Sequence, residues 1–213
     1  MEKKITIAAD INGDIPGCLA DEYGIVILPQ YYRFDMDEMV YGDERRLSAS
    51  EFFARMSGGE RAFSMGCNPQ RVRELLEPRL AAGEELICIM FSSALSGSYN
   101  TVSMVADQLR EEYPESRIQV IDTRNASFGQ GILACRAAKR CLEGGSFEEI
   151  VQAVEDVYKR QGPGRTASGY NCPHQAQMLL LHIGNMRWQI RSAPRAGSSG
   201  RQRPGWFPPC HLS

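Results

Sequence analysis

Five small or hydroxyl-bearing residues surround Leu95, namely Ser92, Ser93, Ala94, Ser96 and Gly97, and Ser98 follows them. Hydroxyls donate and accept hydrogen bonds, and no histidine precedes residue 162 to serve them as a base. That combination suits holding an anion better than attacking a carbonyl. The segment in front, Leu86–Phe91, is almost continuously apolar, the pattern of a strand buried on both faces. The segment behind places Val102, Val105, Ala106 and Leu109 on one helical face. A strand that ends in a serine-rich turn and restarts as a helix gathers unpaired N–H groups and a positive dipole end at one point. A ligand carboxylate or phosphate is expected there. Ser96 and Ser98 are the better donors, since Ser92 can satisfy a strand-end carbonyl.

Three further polar clusters fall at comparable places: Asp10–Asn12, Asp122–Ser127, and Ser64 with Asn68 on a loop entering a helix. Parallel α/β sheets collect ligand groups beyond the carboxyl ends of their strands. The four clusters therefore outline one crevice, with Asp10, Asn12, Ser92, Ser93, Asp122 and Ser127 in support. Asp10 could equally brace its own turn. Asp10 and Asp122 also allow a second reading, a metal-dependent α/β enzyme acting on a small phosphate- or carboxylate-bearing metabolite, but no DxD spacing accompanies them. No metal site is expected. Gly129 and Gly131 fall short of a dinucleotide fingerprint, and a G-x-S-x-G elbow is absent. Cys67 stands at a helix start with no histidine base, so a buried thiol is expected.

These residues need strands and helices in alternation to position them, and the chain supplies the pattern. Strands are expected at Lys4–Ala9, Ile25–Pro29, Leu86–Phe91 and Ile118–Ile121. Helices are expected from Pro16 to about Glu22, from Ser48 with its capping partner Glu51, from Asn68-Pro69 to Leu80, from about Gly97 to Glu112, across Ala126–Leu142, and from Ser146 to Val154. Tyr31–Arg46 reads as a hairpin or irregular crossover, and Ala62–Gly66 as a loosened approach to Asn68. The sum is a three-layer α/β domain around a parallel sheet, with right-handed connections.

Composition divides the chain at Gln161. All 26 Asp+Glu and 18 of the 24 Lys+Arg lie up to that residue, whereas residues 162–213 carry six Arg and all three His with no Asp, Glu or Lys. Asp156–Gln161 reads DVYKRQ, which one choice of codons renders as the end of a transposase sequencing adapter. Residues 1–161 are expected to form the domain and residues 162–213 a non-homologous tail, chimeric or frame-shifted and poorly ordered. A genuine basic tail that binds an acidic partner is the alternative. The acidic excess of the body argues against a nucleic-acid partner. Seven scattered cysteines without a CxxC pair point to free thiols and the cytoplasm. Neither a secretory signal nor a run of transmembrane length is expected.

Residues 4–155 resemble the amino-terminal part of the DegV family of bacterial fatty-acid-binding proteins. The opening turn Ala9-Asp10-Ile11-Asn12-Gly13-Asp14-Ile15-Pro16 resembles that family's TDSTADLP-like segment. Ser92-Ser93-Ala94-Leu95-Ser96-Gly97-Ser98-Tyr99-Asn100 is similar to SSxLSGTYQ, and Asp122–Gly131 to DSxxASMGxG. Ser64-Met65-Gly66-Cys67-Asn68-Pro69 echoes TSQPSP. The resemblance implies a non-enzymatic carrier that buries a long-chain fatty acid and presents its carboxyl group to a separate fatty acid kinase catalytic subunit. It places the carboxylate contacts on Ser64 and Ser96, with Gly97 and Ser98 beside them, and implies no cofactor beyond the bound fatty acid. A second domain is also implied, and it is expected to be missing or replaced here.

Overall fold

A computed structural model describes residues 3–37, 40–43 and 45–160. The expected tail, residues 162–213, lies outside the described residues. Four strands form the central parallel sheet: β1 (Ile5–Asp10), β2 (Val26–Leu28), β5 (Glu85–Met90) and β6 (Ile118–Asp122). Their order is β2-β1-β5-β6, and all three pairings are parallel. Between β2 and β5 the chain builds a second, two-stranded antiparallel sheet from β3 (Gln30–Phe34) and β4 (Ala62–Cys67).

Every residue of β5 is buried, because helices cover both faces of the sheet. On one side Leu86, Cys88 and Met90 join Val72, Leu76 and Leu80 of α3 (Pro69–Ala81). Val102, Val105, Ala106 and Leu109 of α4 (Ser98–Glu112) complete that layer. Ile87 and Ile89, pointing the other way by the two-residue alternation of a strand, belong to the opposite layer. There α5 (Phe128–Leu142) packs on β1 and β5, flanked by α1 (Gly17–Tyr23) and α6 (Phe147–Arg160). The β1–α1–β2 and β5–α4–β6 crossovers run in opposite directions on opposite faces, so they share one hand. Their divergence puts the topological switch point between β1 and β5, where such sheets bind ligands.

Two expectations need correction. Ala62–Gly66 is not a loosened loop but most of β4, paired with β3 through Tyr32 opposite Ser64 and Arg33 opposite Phe63. Phe63, Ser64, Met65 and Gly66 are all exposed, so no buried face imposes an alternation that sequence could reveal. Tyr31–Arg46 is likewise only partly irregular. It begins with most of β3, and Tyr32 bridges to Tyr41. Tyr32, Phe34, Tyr41 and Phe52 of α2 (Ala49–Ser57) cluster with ring centroids 5.2–6.3 Å apart, a small aromatic core under the antiparallel pair.

Candidate functional site

The sheet positions the serine turn through its strand ends. Asp10, the last residue of β1, is wholly buried. Its Oδ2 accepts the Phe91 N–H at 2.8 Å, and its Oδ1 accepts the Asn12 N–H at 3.0 Å. Burial pushes the Asp10 carboxyl above its ordinary range, against the opposing effect of these donors and the Gln130 side chain. Asp10 therefore both braces its own turn and ties β1 to the residue after β5. From the other flank, Asp122 accepts the Ser93 N–H at 3.2 Å and the Ser93 hydroxyl at 2.5 Å. Burial alone would raise the Asp122 carboxyl, but donors from Ser93 and the Arg124 N–H outweigh it and hold it low.

These contacts separate the residues that support from those that face outward. Ser92 is buried, and its carbonyl accepts the Leu95 and Ser96 amides, which closes the turn. The Ser127 hydroxyl is bonded to Asp14 and not turned towards Ser96. Asn12 offers its amide to Asp10. Asp10 and Asp122 spend their oxygens on protein donors. Among the described residues no group of three or more His, Cys, Asp or Glu could hold a metal.

The turn expected to hold an anion leads into the first turn of α4. Ser48 and Asn68 cap α2 and α3, whereas the N-cap of α4 is Gly97, which has no side chain to offer. The Ser98 N–H, at the start of α4, is instead taken by Ser96 Oγ at 3.2 Å. Gly97 has an ordinary φ of −71°, and no protein atom lies within 4 Å of where its Cβ would sit. Its value is thus open space at the helix end, not backbone freedom.

Ser64 reaches this place from the second sheet. A Cβ on Gly66 would stand 3.2 Å from Ser98 Oγ, so that face of β4 lies against the start of α4. Ser64 lies two residues earlier, opposite Tyr32, but the bulge at Gly66 interrupts the strand alternation between them. Ser96, Gly97 and Ser98 share the one turn, whereas Ser64 arrives on a strand, not on the expected loop, and is exposed. Ser98 differs from expectation in being fully buried. Its hydroxyl accepts from Gln30 Nε2 at 2.9 Å and from the Cys67 N–H at 3.2 Å. Gln30 was not legible as a participant, since 68 positions separate it from Ser98. A cleft of about 840 Å³ beside β4 is lined by Tyr31, Met65, Gly66, Cys67 and Pro69 among others, but not by Ser64, Ser96, Gly97 or Ser98.

The architecture defines an α/β domain with a serine-rich turn at the switch point of its parallel sheet. A family profile described as "Uncharacterised protein, DegV family" matches residues 4–162. The chain belongs to the DegV family. DegV domain-containing proteins of Clostridium perfringens and Caldanaerobacter subterraneus are each 31% identical to it, over 154 and 158 residues. Those alignments cover 72% and 74% of this chain but 53% and 54% of the relatives, so the chain spans about half their length. The fold is similar to that of a fatty-acid-binding DegV family protein of Thermus thermophilus, with a TM-score of 0.65 and 23% identity over 73% of this chain and 54% of that one. A stearic-acid-binding protein of Eubacterium ventriosum gives 0.64 and 18%, over 90% and 78%. Among the described residues no helix is long and apolar enough to cross a membrane.

Proposed function

We propose that the protein is a cytoplasmic carrier that binds the carboxylate of a long-chain fatty acid at the first turn of α4 and presents it to a partner kinase. The observation that carries this reading is the start of α4 at the switch point, where Gly97 stands at the N-cap, Ser96 Oγ holds the first amide and β4, the strand of Ser64, packs alongside. Membership of a family whose solved members include fatty-acid-binding proteins supports the choice of ligand. Exposed apolar side chains next to the turn, Leu95 and Met65, suit an acyl chain. A chain of roughly sixteen carbons would yield about 12 kcal/mol gross on burial, at about 0.8 kcal/mol per methylene. Chain burial then supplies affinity, and the serines fix the head group.

Lipid extraction and mass spectrometry of the purified protein test the ligand. Recovery of a long-chain fatty acid is expected, and its absence after exposure to a fatty-acid mixture contradicts the proposal. The kinase role is tested by ATP-dependent acyl-phosphate formation that requires both proteins. The family match ends at residue 162, one position past the compositional break, which supports a foreign origin for residues 162–213. An uninterrupted reading frame into this same tail, sequenced from unfragmented DNA, would refute that origin.

A further inference from the structure

The Ser98 hydroxyl has one proton and two acceptor positions. Gln30 Nε2 and the Cys67 N–H occupy both acceptor positions, at 2.9 and 3.2 Å. The 3.1 Å contact between the Ser96 and Ser98 hydroxyls can run in either direction by distance alone. With its acceptor positions filled, Ser98 must donate, and Ser96 Oγ is a stronger acceptor than the neighbouring Cys67 thiol. Ser96 Oγ then accepts twice, from the Ser98 hydroxyl and from the Ser98 N–H at 3.2 Å. Its own proton is left to point outward.

We propose that Gln30 is a positioning residue that fixes the proton direction of the Ser98–Ser96 pair, making Ser96 a dedicated donor that favours an ionised carboxylate over a neutral head group. This rests on the fatty-acid reading above and adds the origin of head-group selectivity. Gln30 is well placed for the task because it opens β3 opposite Cys67, so the strand pair holds its amide and the Cys67 N–H against the same oxygen. The donors also polarise one another in series, from amide to Ser98 to Ser96, which strengthens the outermost bond. Without the Gln30 donor, Ser98 has a free acceptor position, and the Ser96 proton can turn inward instead.

The test compares palmitate with 1-hexadecanol on wild type, Gln30→Leu, Gln30→Glu and Gln30→His. Gln30→Leu should weaken palmitate binding about fivefold to tenfold, less than the loss of a whole hydrogen bond to a charged acceptor because the Ser96 proton still points outward part of the time, while hexadecanol changes less than about twofold. Gln30→Glu, which accepts from Ser98 and reverses the pair, should lower palmitate binding further. Gln30→His keeps an N–H at similar reach and should restore selectivity. Equal weakening of both ligands in Gln30→Leu, or no change in either, overturns the proposal. A second readout needs no ligand: the Gln30 side-chain NH₂ should exchange slowly with solvent in the NMR spectrum of the wild type. Fast exchange in a protein that still binds palmitate defeats the Gln30 proposal alone, whereas failure of the wild type to bind palmitate defeats the fatty-acid reading with it.

Discussion

Asp10 and Phe91 join the two central strands at the point where the chain's crossovers diverge: the carboxylate ending β1 holds the amide that follows β5, at 2.8 Å. A wholly buried carboxylate is an expensive way to make such a join. It is retained where two buried N–H groups need acceptors at once, and Asp10 serves Phe91 and Asn12 together. The serine turn begins one residue beyond this join, so the geometry of the proposed anion site depends on it.

Asp10→Ala should cost about 2–4 kcal/mol of stability, because it strands two backbone donors. Thermal or urea unfolding measures it. Asp10→Asn separates charge from shape. The Asp10 carboxyl titrates above its ordinary 3.8, so the folded state binds the proton more tightly than the unfolded chain does. Stability from this group is therefore greatest below pH 3.8 and falls as pH rises towards the folded value. Relative to Asp10→Asn, the wild type should lose unfolding free energy as pH rises through that window. A relative gain would contradict the assignment.

Ser96→Ala should weaken fatty-acid binding about tenfold or more, since a hydrogen bond to a charged group contributes about 1.5–3 kcal/mol. Because Ser96 also accepts the Ser98 N–H, a small loss of melting temperature is expected alongside. Ser64→Ala should reduce binding with stability unchanged, as its exposed position on β4 carries no core packing. Competition against a fluorescent fatty acid distinguishes the two.

Cys67 should be inert despite its place beside the cleft. Burial pushes the thiols of Cys67 and Cys88 up to about 12, so almost no thiolate is present near neutrality. Alkylation of the native protein at pH 8, followed by peptide mapping, should modify exposed Cys18 well before either. Early labelling of Cys67 would show that β4 opens in solution.

Gly131→Ala should destabilise by about 1–3 kcal/mol through overpacking. A Cβ there would lie 2.1 Å from the Gly13 carbonyl oxygen, where α5 crosses the turn after β1. The comparison is Gly17→Ala at the exposed start of α1, where an added Cβ meets nothing within 4 Å. Similar melting temperatures for the two variants would contradict this close packing.

The parallel sheet was legible because burial on both faces writes itself into Leu86–Met90 as an unbroken apolar run. Asn68 and Ser48 announced α3 and α2 through local capping chemistry, which needs only three or four neighbouring residues. β4 was not legible: it is short and exposed, and its partner precedes it by some thirty residues. The candidate site divides in the same way. Ser96 and Ser98 belong to one local turn and could be read from it. The inward role of Ser98, the Asp10–Phe91 join and the approach of Gln30 arise from contacts across 68–81 positions. Gly131 fell short of any dinucleotide fingerprint and had no reason legible in the sequence; the structure shows that it leaves room for the turn at Gly13.

Carbon-13 NMR of carboxyl-labelled palmitate, titrated with pH on wild type and Ser96→Ala, tests the central claim most directly. The account expects a bound carboxyl resonance distinct from free palmitate in the wild type. It should stay ionised to lower pH than the free acid, and shift or weaken in Ser96→Ala. A bound signal that ignores the substitution, or no bound signal at all, would contradict the assignment of this turn as the head-group site.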